Sequence, residues 1–328
     1  MRRRDFITLL GGAPAAWPLV ARGQQQERMR RIGILWRGNF TEGVVQAQQA
    51  ALKEGLKRLG WTEGRNARFD LRYSVDNPGR MRALADELVS LNPDVIAASS
   101  FPVAHAVLQR TRTIPVVFIN VADPVAGGLL KNIARPEGNA TGITSNYQSM
   151  GGKWLELLKT ASPLTSRVAL VFARENVNNQ FFGVIEAAAH ALAVNTVQMP
   201  YGDVAELQRA IDAFASESNG ALLMVPPPPS PANGELINRL AVKYRLATVY
   251  SSRFYVAAGG LMSFGAPIVD SYRIAATYLD RILRGAKINE LPVQFPTKLE
   301  LAINLKTAKA IGLTMDDSIL ISADEVIE

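Results

Sequence analysis

The segment RIGILW at Arg31–Trp36 decides the fold, because a short, apolar, β-branched run is followed first by a polar turn and then by an amphipathic helical pattern. The same order recurs along the chain, for example after DVIAAS at Asp94–Ser99 and after RVALVF at Arg167–Phe172. Strands that alternate with helices form βαβ units, and such units build parallel sheets. The sequence therefore predicts an α/β protein.

Two successive runs of four strands are predicted, each with its own interleaved helices. The first run has strands at Arg31–Trp36, Ala67–Tyr73, Asp94–Ser99 and Pro115–Ile119. The second has strands at Arg167–Phe172, Thr196–Met199, Ala221–Val225 and Ala247–Tyr250. Two runs of this kind indicate two similar α/β domains. A later strand at Leu261–Phe264 and a helix at Pro267–Arg284 extend one domain or the other, and the pattern leaves open which.

The first residues have the pattern of an export signal. Arg2–Arg4 are charged, Phe6–Val20 is apolar, and Ala21–Gly23 places small residues before an expected cleavage at Gln24. The apolar run is too short and too interrupted by glycine and proline for a membrane-spanning helix. We predict that residues 1–23 are a signal peptide of the twin-arginine type, and an ordinary secretory signal stays open as the alternative. Both predict a periplasmic protein.

Composition excludes several classes of protein. The chain of 328 residues has no cysteine, which excludes a thiolate nucleophile, a disulfide framework and any zinc site built on sulfur. Its formal net charge of +7 is spread along the chain and does not indicate a nucleic-acid partner. Because 48% of the residues are hydrophobic, there is enough apolar material for two cores.

Enzyme signatures are missing from the sequence. MGGKW at 150–154 lacks the spacing of a phosphate-binding loop, and no G-x-G-x-x-G follows the first predicted strand. His105 and His190 have no metal-ligating partner at helical spacing, so a packed or surface position is favoured for each. No G-x-S-x-G motif of a serine hydrolase is present. We therefore expect no catalytic residue, no metal and no cofactor.

The candidate site consists of the polar turns that follow the strands, where ligands of open α/β sheets bind. Ser99 and Ser100 precede a predicted helix start, so they are suited to hold a carboxylate, and simple helix capping by Ser100 is an equal alternative. For Asp123 we favour helix capping over binding of an ammonium group. Aromatic side chains in these turns either stack on a ligand ring or pack the domain crossings. The predicted ligand-binding residues are Phe40, Ser99, Ser100, Asn120, Asp123, Asn146, Tyr147, Asn176, Ser252 and Phe254.

Four long segments resemble the substrate-binding proteins of ABC transporters, in the family that contains the tryptophan and tyrosine uptake binding proteins. They are DPVAGGLLKNIARPEGNATG (123–142), KWLELLKTASP (153–163), AGGLMSFGAPIVDSYRIAATYLDRILRGAK (258–287) and LPVQFPTKLELAINLKTAKAIGL (291–313). The resemblance covers nearly the whole chain after the predicted leader. It implies a type I periplasmic-binding fold, in which two doubly wound parallel-sheet domains are joined by three hinge crossings.

The resemblance also implies where the two lobes divide. The first lobe is expected to contain residues 30–145 and about 265–291, and the second residues 146–264 and about 292–328. The crossings are expected near Thr144–Tyr147, Ser252–Gly260 and Leu291–Pro296.

The function implied by the resemblance is that of a periplasmic receptor, which holds a small molecule between its lobes and delivers it to permease subunits in the inner membrane. An amino acid is the expected ligand, with an aromatic side chain preferred, and we expect a monomer. A sensor that feeds a membrane signalling receptor stays open as the alternative. A transcription regulator is disfavoured, because about thirty residues before the first strand are too few for a DNA-binding helix-turn-helix.

Overall fold

The computed structural model describes residues 28–38, 43–74, 77–125, 127–144, 149–174, 180–226 and 229–328. Within these ranges the chain forms two β-sheets, and each sheet separates two hydrophobic clusters that helices cover from outside. Each sheet with its helices is called a lobe below. The predicted α/β class and its two-domain organisation are confirmed.

The first lobe is built on a parallel sheet. Its strands are Arg30–Arg37 (β1), Ala67–Ser74 (β2), Val95–Ser99 (β3), Val116–Val121 (β4) and Ala140–Thr144 (β5). In the described ranges these five strands lie in the order β2-β1-β3-β4-β5, and every pair is parallel. The strands β1 to β4 match the predicted run of four, and β5 is an additional strand that the sequence pattern did not predict.

Helices Gly43–Arg58 (α1), Pro78–Ser90 (α2) and Phe101–Leu108 (α3) connect these strands. The buried face of α1 includes Leu52 and Leu56, as its apolar spacing predicts. The start of α2 is fixed by Asn77, whose side chain accepts a hydrogen bond from the backbone N–H of Arg80.

The second lobe contains a larger, mixed sheet. Its strands are Arg167–Ala173 (β6), Asn195–Tyr201 (β7), Gly220–Met224 (β8), Ala247–Tyr250 (β9), Met262–Gly265 (β10), Glu300–Asn304 (β11) and Glu325–Ile327 (β12). In the part of the chain that the structure describes, these seven strands lie in the order β12-β11-β10-β9-β8-β6-β7. The pair β10–β11 is antiparallel and the other pairs are parallel. The predicted run of four corresponds to β6 to β9, and the later strand predicted at Leu261–Phe264 is β10, which belongs to this sheet; β11 and β12 were not predicted.

Eight further helices complete the described structure. They are Met150–Ala161 (α4), Phe182–Ala191 (α5), Val204–Phe214 (α6), Pro231–Tyr244 (α7), Arg253–Ala257 (α8), Ile268–Leu283 (α9), Leu305–Ala310 (α10) and Asp317–Ile321 (α11). Helix α9 follows a strand of the second sheet but packs on the first, against α1, β3 and β4. In the described ranges no helix has the length and apolar character needed to cross a membrane.

Among the described residues the chain passes between the two sheets three times. The first passage lies between β5 and α4, the second between β10 and α9, and the third between Gln294 and β11. Gln294 still belongs to the first lobe, because its backbone exchanges hydrogen bonds with Gly142 and Thr144 of β5. The predicted second crossing at Ser252–Gly260 is wrong, because those residues form α8 and lead into β10, which pairs with β9.

The carboxyl edge of the first sheet faces the second lobe. Ala122, directly after β4, packs against the hydrophobic cluster that β6, β8 and α4 form in the second lobe. The turns that follow β1, β3 and β4 therefore lie on the side where the two lobes meet.

Candidate ligand-binding site

Strand register brings the predicted site residues of the first lobe together. Trp36 of β1 pairs with Ser99 of β3, and Ser99 pairs with Ile119 of β4. The next residues along β3 and β4, Ser100 and Asn120, therefore lie on neighbouring strands at the same carboxyl edge. Ligands of open α/β sheets bind at this edge.

Ser99 connects the ends of two strands. Its side chain is buried, and its Oγ accepts a hydrogen bond of 2.8 Å from the backbone N–H of Arg37 at the end of β1. The same hydroxyl interacts with the hydroxyl of Tyr272, a buried residue of helix α9. Asn120 contacts Tyr272 as well, so one tyrosine hydroxyl contacts residues at the carboxyl ends of both β3 and β4.

Tyr272 is a protonated hydrogen-bonding group throughout the physiological pH range. Burial raises the pKa of its hydroxyl far above the usual value, and the hydrogen bonds with Ser99 and Asn120 lower that pKa by less than burial raises it. Its ring stacks on Trp36 with a centroid distance of 5.0 Å and an interplanar angle of 29°. The Trp36 side chain is fully buried, and its Nε1–H has no hydrogen-bond partner among the described residues.

Ser100 has a strained backbone and an unused hydroxyl. Its φ of 127° and ψ of 164° lie in a region that is essentially restricted to glycine. Its buried Oγ has no hydrogen-bond partner in the described structure, and it does not cap α3. The helix-capping alternative for Ser100 is therefore wrong. Strain and an unsatisfied polar atom at one residue are typical of a functional position.

Asn120 is the next-to-last residue of β4, and Asp123 lies just beyond the strand, so both belong to the turn at the carboxyl end of β4. Asn120 has a φ of 58°, at an irregularity in the pairing between Ile119 and Val121. The Oδ1 of Asp123 accepts a hydrogen bond of 3.0 Å from the backbone N–H of Val125. This contact stabilises a turn at Pro124 and Val125, where the sequence had predicted the start of a helix. Asp123 therefore has a capping role, but its partner is a turn.

In the second lobe, the residues that follow β9 make mostly structural contacts. Ser252 is buried, and its Oγ accepts a 3.4 Å hydrogen bond from the N–H of Phe254 at the start of α8. Phe254 packs edge-on against Tyr255 at a centroid distance of 5.2 Å and against the cluster behind the sheet. This packing favours the structural interpretation of Phe254 over stacking on a ligand ring.

The structure thus groups Ser99, Ser100 and Asn120, with Asp123 in the same turn as Asn120. The remaining predicted residues, Phe40, Asn146, Tyr147 and Asn176, lie outside the described residues. Tyr272 and Trp36 were not predicted as site residues. Both fall in apolar patterns that read as core, and neither has a local signal that distinguishes it from an ordinary core aromatic.

The chemistry that this edge offers is non-covalent. Hydroxyl, amide and backbone N–H groups suit a carboxylate or another small polar group. Among the described residues no cluster of three histidine or carboxylate side chains is arranged to hold a metal ion. Two surface depressions of about 400 and about 210 Å³ lie elsewhere, beside His190 and between α1 and α9. Neither depression is lined by Ser99, Ser100, Asn120 or Asp123, so the contacts at the sheet edge are the better guide to the site.

Comparison with known proteins identifies similar proteins over most of the chain. The model of a family described as ABC transporter substrate binding protein matches residues 42–327. A tyrosine-binding protein of Clostridioides difficile is 26% identical over 277 residues, which cover 83% of this chain and 79% of that protein.

Two solved structures are similar to nearly the whole fold. A conserved domain protein from Vibrio cholerae has a TM-score of 0.81 and 25% identity, and the match covers 91% of this chain and all of that one. A Streptococcus pneumonia ABC domain in complex with L-Trp also has a TM-score of 0.81, at 19% identity, with 91% of this chain and 99% of that one covered. These likenesses confirm the predicted type I periplasmic-binding fold.

Proposed function

Because the chain belongs to the ABC transporter substrate binding protein family, whose members bind substrates and do not catalyse reactions, we propose that it is a periplasmic receptor of an ABC importer. It holds an amino acid, preferably an aromatic one, between its lobes and closes around it by a hinge motion. The ligand stabilises the closed state because it contacts both lobes. We propose residues 30–145 with about 265–291, and 146–264 with about 292–328, as the two moving bodies.

The unused hydroxyl of Ser100 is the observation that carries the proposal. It is buried at the carboxyl edge of the first sheet, without a partner among the described residues. Leaving a buried polar group unpaired costs roughly 1–3 kcal/mol, so a ligand acceptor that pairs with it gains binding energy. A carboxylate fits this position, because backbone N–H groups at the start of α3 supply further donors.

Two comparisons support an aromatic amino acid as the ligand. The C. difficile relative carries the name of a tyrosine-binding protein, and the S. pneumonia structure contains L-Trp. We extend the ligand class from those proteins to this chain. The export signal at residues 1–23, the monomeric state and delivery to permease subunits in the inner membrane belong to the same proposal.

The test is the binding of L-tyrosine and L-tryptophan to the purified protein, measured by calorimetry and by thermal shift. A ligand that binds the folded state raises the melting temperature by mass action. Ser100→Ala should weaken the binding about tenfold, since a lost hydrogen bond to a charged group costs roughly 1.5–3 kcal/mol. The same variant should unfold at the wild-type temperature or slightly above, because its Oγ has no partner to lose.

Thr165→Val is the matched control. Thr165 has a buried hydroxyl that is also without a partner in the described structure, but it precedes β6 and so lies at the amino edge of the second sheet. This variant should bind both amino acids as the wild type does. If Ser100→Ala bound them with unchanged affinity, Ser100 would be removed from the site.

A further inference from the structure

We infer that Tyr272 is a positioning residue of the proposed site, whose hydroxyl holds the turns at the carboxyl ends of β3 and β4 (residues 99–100 and 120–123) in their ligand-binding arrangement. The inference rests on the proposed function, because it concerns the same turns. It adds a residue that lies more than 140 positions after Asn120 in the chain and that does not follow a strand of the first sheet.

The contacts of Tyr272 converge on both turns. Its side chain is buried on the inner face of α9, and α9 packs on β3 and β4. Its hydroxyl interacts with the side chains of Ser99 and Asn120. Since Ser99 also accepts the N–H of Arg37, a single hydrogen-bonded group connects the ends of β1, β3 and β4.

The turns that it connects are the ones that need support. Ser100 has a φ of 127° and Asn120 a φ of 58°, so two neighbouring strands end in backbone conformations that side chains other than glycine rarely adopt. Such conformations cost on the order of 1–3 kcal/mol each and persist only where surrounding contacts over-determine them. The Tyr272 hydroxyl supplies such a contact to each turn, through Ser99 and Asn120.

The ring of Tyr272 is fixed independently of its hydroxyl. It stacks on the fully buried Trp36 and belongs to the cluster between α1, α9 and the first sheet. Removal of the oxygen alone therefore leaves the ring in place and releases only the two turns. Tyr272→Phe is for this reason the variant that isolates the positioning role.

A matched control lies on the same helix. Tyr278 is buried, and its hydroxyl donates a 2.5 Å hydrogen bond to the carbonyl of Pro292, a residue outside β3, β4 and the turns at their carboxyl ends. Tyr278→Phe also removes one buried tyrosine hydroxyl bond from α9. Both variants should therefore lower the melting temperature by similar amounts.

The first measurement is the affinity for L-tyrosine and L-tryptophan by calorimetry. Tyr272→Phe should bind about fivefold more weakly than the wild type, the equivalent of one lost hydrogen bond. Tyr278→Phe should bind like the wild type. A purely structural role for Tyr272 predicts equal affinities for the two variants, and that result would overturn the inference.

The second measurement needs no ligand. Hydrogen exchange of the apo protein should be about fivefold faster in Tyr272→Phe at residues 99–104 and 119–122, and not in Tyr278→Phe. If the wild type binds neither amino acid, the proposal of an aromatic amino acid as ligand is wrong. The comparison of hydrogen exchange then tests the positioning role of Tyr272 by itself. Unchanged exchange at both turns would then overturn the positioning role.

Discussion

Several residues of the proposed site have strained backbones or polar groups without partners among the described residues. Ser100 and Asn120 adopt unfavourable backbone conformations, and the hydroxyl of Ser100 and the indole N–H of Trp36 are buried without partners in the described structure. Buried polar groups are normally hydrogen-bonded, so their coincidence at one sheet edge needs an explanation. A ligand that supplies the missing partners is the explanation we propose.

Asp70 gives a prediction for stability against pH. This buried carboxylate on β2 receives a 2.5 Å hydrogen bond from the Nε of Arg31 and lies 3.4 Å from Arg68. Burial raises its pKa, but the hydrogen bond and charge of Arg31 and the charge of Arg68 outweigh burial and hold the pKa below its usual value. A lowered folded-state pKa means that the pair stabilises the fold above the unfolded-state pKa, and that this contribution is lost as the pH falls through the folded value.

We therefore expect Asp70→Asn to lower the free energy of unfolding at pH 7, and the difference from the wild type to shrink as the pH falls below about 4. Urea unfolding followed by circular dichroism from pH 7 to pH 3 measures this. Asp86→Asn, which removes a more exposed ion pair with Arg110, should cost less at pH 7. A difference that stays constant over the whole range would show that the charge of Asp70 does not stabilise the fold.

Part of the site was predictable at the residue scale and part was not. Ser99, Ser100 and Asn120 follow apolar β-branched runs, so strand ends and turns identify them from the sequence. Tyr272 occupies an apolar face at helical spacing, and that pattern does not reveal where its hydroxyl points. The unfavourable φ of Ser100 is also unpredictable, because serine before Phe-Pro more often indicates an ordinary helix cap.

The close contact between helices α1 and α9 depends on one glycine. A Cβ placed on Gly55 would lie only 2.7 Å from the Cβ of Ala276, so the helices could not keep their present separation. Overpacking of this kind destabilises a protein by about 1–3 kcal/mol. Replacing glycine by alanine also restricts the unfolded chain, which offsets about 0.4–1 kcal/mol of that loss. Gly55→Ala should therefore destabilise the protein by about 1–2 kcal/mol in urea unfolding.

Gly183→Ala is the comparison for that prediction. Gly183 is an exposed residue of α5, and a Cβ there would meet no described atom within 4 Å. Alanine should raise the free energy of unfolding by about 0.5–1 kcal/mol, since it favours the helix and restricts the unfolded chain. Equal effects of the two substitutions would mean that the α1–α9 contact tolerates an extra methyl group.

The elements that the sequence did not predict are short or weakly patterned. Strand β5 is the five-residue segment ATGIT, fully buried but with a glycine at its centre, so neither alternation nor an apolar run indicates it. Strand β12 has three residues and lies at the sheet edge. Helix α9 was predicted from its periodicity, but that pattern left its lobe open; only the family resemblance assigned about 265–291 to the first lobe, because a local pattern does not contain tertiary packing.

At the scale of the whole molecule, the chain order mixes the two lobes. Helix α9 enters the first lobe directly from β10 of the second, and residues up to Gln294 stay with β5 before the chain returns to β11. Tyr272 lies only a few residues beyond the second crossing, so the helix that begins at the hinge also supports the turns of the proposed site. The second crossing and the residue that supports the turns therefore lie in one continuous segment of the chain. This arrangement suits a receptor in which closure and binding are coupled.

Hinge closure can be measured directly, because the chain has no cysteine and spin labels attach only where a cysteine is introduced. Val125 follows β4 and is 43% exposed, and Val204 begins α6 after β7 and is 53% exposed, so the pair places one label at the carboxyl edge of each sheet. In Val125→Cys/Val204→Cys, saturating L-tyrosine or L-tryptophan should shift the distance distribution to shorter values, because the ligand favours the closed state. Val204→Cys/Val242→Cys places both labels in the second lobe and should show no shift. If ligand binds by calorimetry and the first pair does not shift either, the receptor binds without closing, and the hinge mechanism has to be abandoned while the binding function stands.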